Sequence, residues 1–178
     1  MDIRTQLLVG HSRENADRIA RHVGDDPERF AVLMGLMLND ADMRVRQLAA
    51  HSVSVVGEAN PELATPYVKQ LLAVIEQPVH EGVQRTAVRA MQSCTLPKAL
   101  HGRITQVMFA LVADPARPIA QRAFAIAVAH RMVQVHPELG VELRLVLEDV
   151  LRVDPGPAVR SRATKVLKAL GGRRPALD

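Results

Sequence analysis

Residues 40–49 read Asp-Ala-Asp-Met-Arg-Val-Arg-Gln-Leu-Ala. An acid opens the stretch, a branched residue (Val45) follows five places on, a cation (Arg46) comes next, and Ala49 lies one helical turn after Val45. The pattern returns as Pro78 with Val83, Gln84 and Ala87, as Asp114 with Ile119, Ala120 and Ala123, and as Asp154 with Val159, Arg160 and Ala163. Residues four apart share one face of a helix. Each branched residue and its alanine therefore mark the inner stripe of a helix, and the small alanine lets a second helix come close. Arg46 and Arg160 occur where Asp40 and Asp154 are kept, which predicts two structural turn pairs, Asp40 with Arg46 and Asp154 with Arg160.

Upstream of each opening lies another amphipathic stripe. Phe30, Leu33, Met34 and Met37 are spaced i, i+3, i+4, i+7, as are Val68, Leu71, Leu72 and Ile75, then Ile104, Val107, Met108 and Leu111, then Leu143, Val146, Leu147 and Val150. This spacing predicts four helices with one apolar face each. Pro27, Pro61, Pro97 and Pro137 precede them, and proline is accepted at a first helical position because that N–H has no partner within the helix. Asp26 and Asn60 are candidate N-caps. Pro66, Gly102 and Gly140 predict kinked or irregular first turns. One more helix is predicted over 12–23, opened by Ser12 and buried through Ala16, Ile19, Ala20 and Val23, with a short helix over 2–9 before it.

A helix, a turn carrying Asp, then a helix opening Val-Arg with an inner Ala resembles the HEAT repeat, over residues 27–170. The second copy departs with Pro78 and Gln84, the third with Ala120. Armadillo repeats, with three helices each, are the nearest competitor, and the full chain is similar to small bacterial HEAT-like proteins. The resemblance implies an all-α fold, a right-handed α-α superhelix of about four helix pairs plus an N-terminal capping helix. One domain is expected over 1–178: a cap at 1–26, repeats at 27–58, 61–94, 97–134 and 137–170, and a tail at 171–178. Capping is physically required, because each repeat exposes an apolar side that only a neighbour covers.

Composition narrows the function classes. Of 178 residues, 48% are apolar and 24% charged, which excludes disorder, and aromatics are only 2%, which favours helix over strand. The single cysteine, Cys94, excludes an internal disulfide framework. No apolar run approaches the roughly 20 residues that span a bilayer, and the first residues hold no long apolar leader, so the expected compartment is the cytoplasm. The formal net charge of +4 permits an acidic partner without requiring one.

The charge is unevenly placed. The second helices, counted over 42–57, 79–93, 117–134 and 157–170, hold eleven basic residues and two acidic ones, whereas the first helices hold six and seven. The resemblance implies that second helices line the concave side. Arg85, Arg89, Arg122, Arg162, Lys165 and Lys168 are the candidate partner-binding residues, and His51 shares a register with Arg89 and Lys165.

Catalytic and metal chemistry find little footing. No histidines are spaced i, i+4 and there is no Cys-x-x-Cys. Gly171-Gly172 ends a helix and begins none, so no phosphate loop is expected. Cys94 and His130 are assigned to an apolar register, and the methionines to core filling. No catalytic residue, cofactor or metal is expected. The reading is a non-enzymatic interaction module offering a basic surface to an acidic protein. The alternative is nucleic-acid backbone binding through the same cations, as in HEAT-like alkylpurine glycosylases, although the lack of Trp leaves little for base stacking. A lyase role, known for some proteins with such repeats, would rest on fold alone.

Overall fold

The structure, a computed structural model, describes residues 1–153 and 156–171. All regular elements among them are helical. The chain forms two compact units, Met1–Pro97 and Lys98–Asp178. The first holds α1 (Ile3–Leu8), α2 (Arg13–Val23), α3 (Pro27–Asn39), α4 (Met43–Ala59), α5 (Val68–Glu76) and α6 (Glu81–Ala90). The second holds α7 (His101–Ala113), α8 (Ile119–Val135), α9 (Gly140–Arg152) and α10 (Pro157–Gly171).

Consecutive helices pack as antiparallel pairs. In the first unit α3 lies on α4 and α5 on α6, and α2, α4 and α6 pack side by side as a layer of second helices. In the second unit α7 pairs with α8 and α9 with α10, while α7 packs on α9 and α8 on α10. The predicted apolar stripes form the interior: all their residues are buried except Val146, which is half-buried. Met34, Met37, Met91, Met108 and Met132 are core filler as expected, and Met43 is exposed.

Local chemistry sets the helix ends. Pro27 opens α3 while Asp26 accepts from the Glu28 and Arg29 amides at 2.9 and 3.1 Å. Ser12 caps α2 through the Asn15 amide at 3.1 Å. Pro66 lies within a 3-10 segment, Pro61–Tyr67, as expected, whereas Gly102 and Gly140 lie in α-helix and the 3-10 segments there, Lys98–Leu100 and Pro137–Leu139, precede them. Pro66 has no N–H to give and its ring opposes an α-helical carbonyl four residues back. Asn60 makes no cap bond. Its side-chain amide instead donates to the Gly24 carbonyl at 3.0 Å, tying the end of α4 to the end of α2.

Gly24 closes α2 at φ 57°, ψ −129°, a region that L side chains rarely occupy. The Gly24→Ala variant is expected to lose about 2 kcal/mol of unfolding free energy, read as a lower urea midpoint. No change would show that the turn relaxes without its glycine.

The expected anchor register fails in the third repeat. Val45, Val83 and Val159 are fully buried, but Ile119 is 50% exposed. The N-caps of the second helices, Asp42, His80 and Pro118, stand 38 residues apart. Counted from these caps, Gln121 occupies the anchor position, Arg122 the arginine position and Ala125 the alanine position; all three are buried. The turn from Asp114 to Pro118 is two residues longer than that from Asp40 to Asp42, although each Asp accepts the amide two residues on at 2.9 Å; after Ala116 the third turn continues to Arg117, whose amide donates to the Asp114 carbonyl at 3.2 Å. The same shift takes His130, half-buried, out of the register of buried Cys94 and places Met132 there.

Candidate interaction surface

The arginine position of the repeat is a clamp between paired helices. Arg46 Nε donates to the Met37 carbonyl at 3.0 Å. Gln84 Nε2 donates to the Ile75 and Gln77 carbonyls at 3.2 and 2.7 Å. Arg122 donates to the Val112 carbonyl through Nε at 3.1 Å and Nη2 at 3.0 Å. Each side chain satisfies a carbonyl that its first helix leaves open at the C-terminus. Asn15 does the same for the α1–α2 pair, donating to the Gln6 and Gly10 carbonyls, both at 2.9 Å.

Two expectations are thereby corrected. Asp40 and Arg46 do not form a turn pair: Arg46 is committed to Met37, and Asp40 receives Arg4 Nε at 2.8 Å. That guanidinium, followed by the Asp42 amide, holds the Asp40 carboxyl below the ordinary carboxylate range. Arg122 is not a partner-binding cation. It is 6% exposed, and burial pushes its pKa below the usual arginine value while Asp114 opposes the shift; a guanidinium remains charged there. Asp154, the expected partner of Arg160, lies outside the described residues, as does the tail beyond Gly171.

The other candidates divide by their surroundings. Arg89 is paired with Glu58 on α4. Arg162 is half-buried and engaged. Arg85 on α6 and Lys165 and Lys168 on α10 are exposed, and no ion pair engages them among the described residues.

His51 sits at the middle of the first unit's second-helix layer, half-buried. Its ring meets that of His11 edge-on, with centroids 4.9 Å apart. Arg13 and Asp17 of α2 and Arg85 of α6 are near enough to act electrostatically on its ring. Desolvation is the largest influence lowering the His51 pKa from 6.5; His11, Arg13 and Arg85 lower it further and Asp17 opposes them. Asp17 accepts Arg13 Nε at 2.8 Å, so its charge is already engaged.

The second unit has two features of its own. Ala113, Pro115, Ile119, Val150, Val153 and Gly156 help line a groove of about 610 Å³, which explains the exposure of Ile119. His101 Nδ1 and His136 Nε2 share a hydrogen bond of 2.9 Å, and His136 Nδ1 is 3.5 Å from Glu138 Oε1. Among the described residues no group of three His, Cys, Asp or Glu could hold a metal ion, and no helix is long and apolar enough to cross a membrane.

Sequence reasoning missed His11, Arg13 and Glu58 as parts of this surface. Treating residues 3–23 as a helix pair, with Asn15 in the anchor register, would have placed His11 and Arg13 beside α4. Glu58 lies in the last turn of α4, and nothing local in the sequence links it to Arg89.

A sequence profile described as a HEAT repeat domain matches residues 3–170. No curated protein and no solved structure gave a match. The match begins at α1 and ends in α10, the span over which helix pairs recur, and the chain belongs to the HEAT repeat family.

Proposed function

We propose that this protein is a non-enzymatic binding module that presents cations of its second helices to an acidic protein partner, acting in the cytoplasm. HEAT repeats serve generally as protein-interaction scaffolds, and repeat stacks offer broad binding surfaces without a catalytic constellation. The observation that carries the reading is the contrast among the cations. Arg46, Arg122 and Arg89 are spent on internal carbonyls and a carboxylate. Arg85, Lys165 and Lys168 stand exposed and unpaired among the described residues. Exposed cations without an ion-pair partner attract an acidic partner in either unit.

The test is affinity capture from cytoplasmic extract with the wild type and with the triple variant Arg85→Glu/Lys165→Glu/Lys168→Glu. An exposed charge contributes a fraction of a kcal/mol, and reversal replaces attraction by repulsion. Recovery of an acidic partner is expected to fall about tenfold. Equal recovery on the triple variant would refute the proposed role of these cations. Capture of nucleic acid in place of protein, with binding that falls steeply with salt, would move the assignment to backbone binding.

A further inference from the structure

We infer that the His11–His51 pair, flanked by Arg13 and Arg85, is a proton-coupled site for a carboxylate of an acidic peptide. This rests on the binding role proposed above and adds to it a location and a dependence on pH.

Three helices meet at the site. His51 comes from α4, Arg85 from α6 and Arg13 from α2, with His11 in the turn before α2. The rings are close enough that two charged imidazoles would repel one another, at 4.9 Å between centroids. The flanking charges are Arg13, Asp17 and Arg85; further along the same helices Glu58 is paired with Arg89. Asp17 is bound by Arg13, so the two largely offset one another and Arg85 is the flanking cation with no ion pair among the described residues. In the free protein, burial and then the field of these groups lower the His51 pKa from its ordinary value, which disfavours the charged ring.

An anion reverses those terms. A carboxylate between Arg85 and the rings would accept N–H bonds from imidazolium and cancel the repulsion that held the proton off. Binding would then take up a proton at His51, and by linkage a ligand that raises a pKa binds more tightly as pH falls. A peptide carboxylate stays ionised down to about pH 5, so the change in affinity would come from His51. Half-burial of His51 suits a short side-chain carboxylate better than a bulky phosphodiester chain.

The experiment uses the full chain and a rhodamine-labelled Asp/Glu peptide, with fluorescence anisotropy at about pH 6 and about pH 8 and at a fixed ionic strength of about 0.1 M. Wild type is expected to bind about three- to tenfold more tightly at the lower pH. The His11→Gln/His51→Gln variant is expected to bind alike at both, although five other histidines remain. Arg85→Glu is expected to weaken binding at both.

A second readout needs no variant: in NMR titration of the wild type, the His51 ring should titrate at higher pH with peptide present than without it. Equal wild-type affinity at both pH values, or an unmoved His51 titration, would overturn the proton coupling; peptide binding still sensitive to Arg85→Glu would then leave the proposed function standing. Insensitivity to Arg85→Glu, with preference for an oligonucleotide of equal charge, would overturn both.

Discussion

Replacing Phe30 by alanine is expected to lower unfolding free energy by about 3–5 kcal/mol, the largest single loss predicted for this chain. Phe30 opens the apolar stripe of α3 and is completely buried. Its ring meets Tyr67 edge-on at 5.8 Å between centroids, so one side chain joins α3 to the 3-10 segment that leads into α5. Truncation removes the apolar contact and leaves a void between successive repeats that rigid helices cannot collapse to fill. The measurement is a urea or thermal melt beside Phe30→Leu, which keeps most of the volume and should cost less than half as much. Similar losses for the two variants would mean that ring geometry, rather than filled volume, carries the stability.

Arg122→Ala is expected to cost about 3 kcal/mol. The guanidinium makes two hydrogen bonds to one carbonyl, at 3.1 and 3.0 Å, from a buried position. Removal leaves the Val112 carbonyl without this donor and empties the space of the aliphatic stem. Two further variants separate these effects. Arg122→Met keeps the stem and should lose about 2 kcal/mol. Arg122→Gln should recover part of that loss, because Gln84 performs the same clamp in the preceding repeat with bonds of 3.2 and 2.7 Å. Equal losses for Met and Gln in urea denaturation would show that packing, not carbonyl satisfaction, is the role of this position. Reversal of exposed Arg85 should leave stability nearly unchanged, since unpaired surface charges contribute little to it.

The contrast between these two arginines marks the limit of a one-dimensional reading. Phe30 was recognisable as core because its neighbours repeat every three to four residues, and helical geometry converts that spacing directly into a face. The 3-10 opening before α5 is legible in Pro66, where the constraint lies within the residue itself. Spacing from Asp114 places Ile119 in the anchor register by analogy with Asp40 and Val45, but the turn after α7 holds two extra residues. Counting from turn residues carried that insertion into the register; the second-helix caps, 38 residues apart, do not show it.

Residue order alone determined that the chain forms amphipathic helices in recurring pairs, because hydrophobic periodicity and caps act over a few residues. Only the folded structure decided the fate of each cation. Arg46, Arg89, Arg122 and Arg85 look alike along the chain. Their roles diverge because α3, α4 and α7 bring the Met37 carbonyl, the Glu58 carboxylate and the Val112 carbonyl to the first three, while Arg85 meets only the His51 neighbourhood. A charge is neutralised, buried or left exposed by groups distant in sequence, and local periodicity carries no information about those.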